Sequence, residues 1–354
     1  MPFDLDALLE EATSRGASDL LLVPGARPTI RIHGDLTPVD PEAARVDTQD
    51  AADMLNPFLT PPDSQTYRSG SSVDFCFERN GIGRFRCNLH RMQGGSAASI
   101  RLLPEIIPDF SQLNLPAQVA RFAEMHKGFV LVVGPTGAGK STTIACLLDI
   151  INARRAVHIV TIEDPIEYRH RHKRGVVEQI EIGGDAPSFA DALRHALRQD
   201  PDVIHVGEMR DLDTIATALT AAETGHLVFS TLHTNDTSQA IDRIIDVFPA
   251  HQQNQIRQQM SLSLSGVVAQ HLVPALDGKS RLPAVEILLA SDAVRNLIRT
   301  SKTHQLYSTL STTRSQGMQT LEESLASLVK RRLIARDDAM LRSNHADELE
   351  SLLK

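Results

Sequence analysis

Residues 134–142 hold the side chains whose types and spacing most directly specify a chemistry. Gly134-Pro135-Thr136-Gly137-Ala138-Gly139-Lys140-Ser141 fits G-x-x-x-x-G-K-[ST] at every fixed position, and Thr142 follows in the same turn. Glycines at this spacing let the backbone curl so that successive N–H groups point at phosphate oxygens, and a following helix N-terminus adds partial positive charge. Lys140 is expected to reach the β- and γ-phosphates of a nucleotide, and the Ser141 hydroxyl to ligate Mg²⁺. A glycine-rich turn without a ligand would share the motif; its flanks favour the nucleotide, with an apolar run Phe129–Val133 before it and a helical stretch from about Lys140 to Asn152 after it. Hydrolysis also needs groups that hold the metal and set a water in line. Glu163 and Asp164 close the run His158–Ile162, and Glu208 follows Val203–Gly207. Such acids sit at the carboxyl ends of parallel strands, where ligands of open α/β sheets bind. One alone would read as a solvated loop residue, whereas three at two consecutive strand ends beside a complete phosphate loop read as a site. His226 and His233 flank Leu227–Leu232. Their functional reading is sensing of the γ-phosphate; on spacing alone, two satisfied polar residues at strand ends is the simpler account. Arg84, Arg86 and Arg101 fall where strands are expected; an arginine from a second domain or subunit can neutralise charge on a transferred phosphoryl, though surface arginines are common.

The elements that must position these groups follow from periodicity. Asp4 is expected to cap a helix with Leu5, Leu8, Leu9 and Ala12 on one face, stopped by Gly16. Strands are predicted at Leu20–Val23, Thr29–Ile32, Val73–Phe77, Phe85–Leu89 and Ala98–Leu102, with a helical stretch near Asp50–Leu59. Pro104, Pro108 and Pro116 mark a linker, taken as 104–118, so the first domain is 1–103. From Gly128 strands and helices alternate: strands at His158–Ile162, Val203–Val206 and Leu227–Thr231, helices at Ser188–Gln199, Asp213–Glu223 and Asp236–Asp246. This predicts a mostly parallel sheet covered on both faces within 119–290, followed by a helical region 291–354. In that tail Met318, Leu321, Leu325 and Leu328 form a core-packing stripe with Gly317 as the preceding cap. The basic run Arg169–Arg174 reads as a solvated loop.

Composition excludes several classes. A net charge of −8, no Trp and only 3 Tyr argue against a nucleic-acid partner. The 3 cysteines, Cys76, Cys87 and Cys146, form no CxxC pair, which argues against a disulfide framework or a cysteine zinc site. No stretch reaches the roughly 18 apolar residues of a membrane span, and the opening residues lack the regions of a signal peptide, so a cytoplasmic protein is expected.

The motifs together resemble the type II/IV secretion ATPase superfamily. Thr161-Ile162-Glu163-Asp164-Pro165-Ile166-Glu167 is similar to its aspartate box, Gly207-Glu208-Met209-Arg210-Asp211 to its Walker B segment, and Thr224–Thr234 to its histidine box. Ser18-Asp19-Leu20 and Gly83–Asn88 extend the likeness towards the start, and Ala293–Arg299 and Gly317–Leu321 resemble C-terminal motifs of the pilus retraction branch. The resemblance implies an α/β protein: an N-terminal PAS-like domain and a RecA-like P-loop ATPase domain with a helical C-terminal segment. It implies ATP and Mg²⁺ as ligands, Glu163 as the base that orients water, and Glu208 with Ser141 at the metal. Lys140, His226 and His233 join the expected catalytic set. Gly134, Pro135, Thr136, Gly137, Ala138, Gly139, Ser141, Thr142 and Arg210 join the expected nucleotide contacts, as do Arg84, Arg86 and Arg101 from the N-terminal side. Arg295, Asn296 and Leu297 are candidates for coupling.

The same likeness implies a homo-hexameric motor that powers type IV pilus retraction, docked on an inner-membrane platform protein at the cytoplasmic face. Assembly and secretion motors usually carry a tetracysteine zinc module and a longer N-terminal region; residues 235–354 contain no cysteine, which favours retraction. Alternatives are an accessory retraction ATPase working with a paralogue, a pilus-assembly or type II secretion ATPase, a RecA-like nucleic-acid motor, or a non-hydrolysing scaffold. Leu21 stands where the family commonly has His, and Gly94 where retraction motors often have Arg.

Overall fold

The computed structural model describes residues 3–32 and 34–354; Met1, Pro2 and His33 lie outside the described residues, including the first two positions of the expected 1–103 domain. The chain divides into two compact units, Met1–Ile106 and Ile107–Lys354.

In the first unit, helix α1 (Leu5–Ser14) starts where the Asp4 carboxylate accepts from the Asp6 N–H, and it buries Leu5, Leu8, Leu9 and Ala12. Strands β1 (Asp19–Leu22), β2 (Thr29–Ile32), β3 (Asp35–Pro38), β4 (Val73–Arg79), β5 (Gly83–Met92) and β6 (Gly95–Leu103) form one sheet in the order β3-β2-β1-β6-β5-β4. Every neighbouring pair is antiparallel. Alternation splits its faces. Leu20, Ile30, Ile100 and Cys87 pack with α1 and with α2 (Asp50–Leu55). The other face carries a cross-strand row, Arg31, Asp19, Arg101 and Arg86, set by register. Two elements lie outside the expected set. β3 is a half-exposed edge strand with no alternation, and α3 (Pro61–Arg68) buries only Tyr67, its one signal being the capping box between Thr60 and Asp63. Gly94 turns the chain from β5 to β6 at φ 78°, a conformation an arginine would adopt only under strain.

The second unit contains β7 (Gly128–Val133), β8 (His158–Glu163), β9 (Val176–Glu181), β10 (Val203–Val206), β11 (Leu227–Leu232), β12 (Leu264–Pro274) and β13 (Arg281–Leu289), in the order β13-β12-β7-β11-β10-β8-β9. All pairings are parallel except that of the edge strand β13 with β12. Helices cover both faces, as the apolar runs predict. After the short α4 (Ala117–Ala120), α5 (Lys140–Arg154) packs Ile144, Leu147, Leu148 and Ile151 against Val130, Val132 and Phe229. The opposite face packs α6 (Phe189–Ala196), α7 (Leu212–Glu223), α8 (Thr237–Asp246) and α9 (Ala250–Ser263) against Leu131, Ile162, Ile204 and Val228. The pattern left β9, α9, β12 and β13 unannounced. α9 is polar apart from a few buried residues such as Ile256 and Met260, and β12 begins at the residue after it, so no turn separates them.

The C-terminal region is helical as expected, with α10 (Asp292–Arg299), α11 (Leu306–Thr312), α12 (Leu321–Lys330), α13 (Arg336–Met340) and α14 (Ala346–Leu353). Leu321, Leu325 and Leu328 do pack in a core. The expected Gly317 cap is corrected: Gly317 closes the preceding 3-10 turn at φ 95°, and α12 starts at Thr320, whose hydroxyl accepts from the Glu323 N–H in a capping box. Met318 is buried but precedes the helix. Among the described residues, no helix is long and apolar enough to cross a membrane.

One buried carboxylate ties the tail together. Glu322 is fully buried and accepts from the Ser343 hydroxyl and from the Asn344 and His345 N–H groups, each at 3.0 Å, and from the Tyr307 hydroxyl at 3.1 Å. Removing the acceptor breaks four part-buried hydrogen bonds to a charged group, so Glu322→Ala is expected to cost about 2 kcal/mol locally. Read as amide exchange, that is about 30-fold faster exchange across residues 343–353, with α5 unaffected.

Candidate functional site

The phosphate loop leaves the sheet from β7, between its parallel neighbours β11 and β12. Gly134 must be glycine on packing grounds, because a Cβ there would lie 2.2 Å from the Gln270 carbonyl oxygen. Gly139 ends the loop at φ 83° and is the N-cap of α5, with no side chain capping the helix. The first-turn N–H groups of α5 therefore point into the loop without a side-chain partner, the arrangement that receives phosphate. Lys140 is buried and donates to the Gly134 and Pro135 carbonyls at 2.8 and 3.0 Å. Burial lowers its pKa, opposed by the charges of Glu208 and Glu167. Thr142 in the same turn lies 2.9 Å from the Tyr168 hydroxyl.

Gln270, on β12, was not singled out from sequence. Its amide donates to the Ala138 carbonyl at 2.7 Å and accepts from the Thr143 hydroxyl at 2.8 Å, stitching the loop to its helix and to the adjacent strand. Nothing in the local pattern announces it, since its partners lie more than 120 residues away in sequence.

The two acids at the strand ends sit in different environments. Glu163 ends β8; its Oε1 accepts from the Thr161 hydroxyl at 2.7 Å and from the Gln179 amide at 3.3 Å. Burial pushes its pKa up to about 7 against these bonds. Glu208 follows β10 and meets Arg210 at 2.7 Å and His233 Nε2 at 3.5 Å. Burial pushes Glu208 upward too, but the Arg210 bond and the charges of Arg210, His233 and Lys140 hold it below its ordinary value. Two carboxylates driven apart in this way suit different duties, one poised to exchange a proton near neutral pH and one held in its ionised form there.

His233 stands between the groups, its Nδ1 3.4 Å from Lys140 Nζ and its Nε2 facing Glu208. His226 is not brought here. The register runs Leu227 opposite Gly128 through Leu232 opposite Val133, so His226 lies at the far edge of the sheet, one strand length or about 20 Å from the loop. Its Nδ1 lies 2.9 Å from the Ala221 carbonyl oxygen. Arg210 is exposed and engaged with Glu208. Arg84, Arg86 and Arg101 belong to the first unit, Arg84 buried and Arg101 paired to Asp19 at 3.0 Å; their link to nucleotide rests on the resemblance. The basic run 169–174 is exposed as expected except at His170, which is half-buried with Nδ1 unpartnered.

For the metal, the donor set offers a hydroxyl, Ser141, at the start of α5 and an ionised carboxylate, Glu208, at a strand end. Hard oxygen donors of that kind, few in number, fit Mg²⁺ bound jointly with nucleotide phosphates.

The sequence model of the type II/IV secretion system protein family matches residues 3–349. This chain belongs to that family. It is similar to the twitching motility protein of Neisseria gonorrhoeae, at 44% identity over 323 residues, 91% of this chain and 86% of the relative. It is 42% identical over 336 residues to the type IV pilus retraction ATPase PilT of Pseudomonas aeruginosa, covering 95% of this chain and 97% of the relative. The solved structure of the pilus retraction motor PilT with bound ADP matches with a TM-score of 0.90 at 45% identity, covering 99% of both chains. The α/β fold and the P-loop ATPase assignment thus hold for this family member across nearly its whole length.

Gln270→Leu removes both loop bonds while keeping a side chain of similar size. Nucleotide affinity is expected to fall about tenfold, as charged and polar loop atoms lose their anchor, measured by titration with a fluorescent nucleotide analogue.

Proposed function

We propose that this chain is a Mg²⁺-dependent ATPase that works as a homo-hexameric motor retracting a type IV pilus. The observation that carries the enzymatic part is the pair of carboxylates with opposed protonation behaviour beside a complete phosphate loop. In this reading the first-turn N–H groups of α5 and Lys140 receive the β- and γ-phosphates. Ser141 and Glu208 hold the metal, which when bound supplies charge neutralisation at the phosphates. Ionised Glu163 accepts a hydrogen bond from a water and sets it in line with the γ-phosphorus. His233, between Lys140 and Glu208, is positioned to register loss of the γ-phosphate.

The pilus part is supported by the length and closeness of the likeness to retraction ATPases, and by the lack of cysteine in residues 235–354. Work on a pilus implies docking on a platform protein at the cytoplasmic face of the inner membrane.

Lys140→Ala is expected to abolish nucleotide binding, and Glu163→Gln to preserve it while lowering kcat by at least about 100-fold. Since only the ionised carboxylate orients water, turnover is full well above a pH of about 7, half-maximal near it, and lost as pH falls further. Retained hydrolysis in both variants would remove the assigned site. Deleting the gene is expected to leave cells with many surface pili and no surface motility. Bald cells would overturn retraction in favour of assembly, and unchanged pili would overturn it in favour of an accessory role.

A further inference from the structure

Beneath Glu163 the second unit's sheet departs from its apolar rule. Register places His205 of β10, Thr161 of β8 and Gln179 of β9 side by side, on one face of three adjacent strands. Glu163 lies two residues beyond Thr161 and therefore on that same face. Thr161 is fully buried and His205 nearly so. Polar groups in such a position add nothing to stability over apolar side chains of the same shape, so a row of them needs another reason.

The hydrogen bonds supply it. The Gln179 amide has one orientation available: its Oε1 accepts from the His170 N–H at 2.8 Å, which turns its NH₂ towards the Tyr168 carbonyl at 2.9 Å and Glu163 Oε1 at 3.3 Å. The Thr161 hydroxyl reaches the same Oε1 at 2.7 Å. A backbone N–H of Glu167 also bonds the carboxyl. Tyr168, whose carbonyl anchors Gln179, carries the hydroxyl that meets Thr142 in the first turn of α5. The orientation of the carboxylate is thus linked through Gln179 and Tyr168 to the helix that follows the phosphate loop.

We propose that Thr161 and Gln179 are positioning residues for hydrolysis: they fix the Glu163 carboxylate in the rotamer that orients the attacking water and register it to the phosphate loop. The inference rests on the assignment of Glu163 as the water-orienting group. Neither residue touches nucleotide in this scheme, so their loss affects the chemical step and not binding. Both also donate to the ionised carboxylate and favour that form. The groups packed around Glu163 that bear on its titration are Glu167, whose charge opposes ionisation, and the imidazoles of the row and its cover, which burial holds neutral, His205 at about 3 and His170 at about 4.

The test is steady-state ATP turnover with Thr161→Val, which keeps shape and removes the hydroxyl, and with Gln179→Leu. Each is expected to lower kcat about tenfold or more, as small misplacements of a reacting group do, with KM for ATP and the affinity for a fluorescent nucleotide analogue within about twofold of wild type. The acidic limb of the rate profile moves to higher pH in both. Thr161→Ser, which keeps the donor, recovers most of the rate. Unchanged kcat and pH limb in both variants, or a parallel loss of nucleotide affinity, would overturn the proposal. Glu163→Gln in the same assay separates the two levels. If it hydrolyses ATP normally, the base assignment fails and this inference with it. If it is inactive while both row variants turn over like wild type, only the positioning role fails.

Discussion

The burial of β7 on both faces is the constraint from which the rest of the second unit follows. All six of its residues are buried, and an apolar strand enclosed by helices on either side has no place for a charge along its length. Charged chemistry is therefore displaced to the strand ends. The parallel arrangement of β7 with β11, β10 and β8 brings their carboxyl ends to one edge. The phosphate loop, Glu208 and Glu163 lie along one edge because each stands at the carboxyl end of a buried parallel strand.

Within that edge, small differences of environment set like side chains apart. Glu163 and Glu208 are the same side chain at equivalent strand ends, yet one is pushed up to about 7 by burial and the other is held low by a guanidinium, an imidazole and an ammonium. Histidines divide in the same way. His233, at the carboxyl end of β11, faces Lys140 and Glu208, whereas His226, at its amino end, is one strand length away from both. A motif that spans a strand puts its two termini on opposite edges of the sheet, whatever their separation in sequence.

The first unit solves a different problem with an antiparallel sheet. One face packs on α1 and α2, and the other is free to carry polar residues, so Arg31, Asp19, Arg101 and Arg86 can line up across four strands. Asp19 holds Arg101 directly at 3.0 Å, while Arg31 approaches it at 3.9 Å. Alternation makes this row readable in outline; the pairing that aligns it comes from register.

The strands around the phosphate loop were legible because β7, β8, β10 and β11 are each a local apolar run, and α1 of the first unit was legible because it carries a 3.6-residue stripe. The loop itself is contiguous, and so are the acids that end β8 and β10. Elements whose burial is partial, such as β3, α3 and α9, leave no periodic trace, and the start of α12 was misplaced because a glycine that ends one turn resembles one that opens the next. What only the tertiary structure decided are the contacts made across strands. Gln270 clamps a loop more than 120 residues away, and Gln179 turns towards Glu163 because β9 pairs with β8 in one register and no other. Local sequence determines which groups are available at a strand end; sheet order and register, set by the packing of the whole unit, determine which of them face each other.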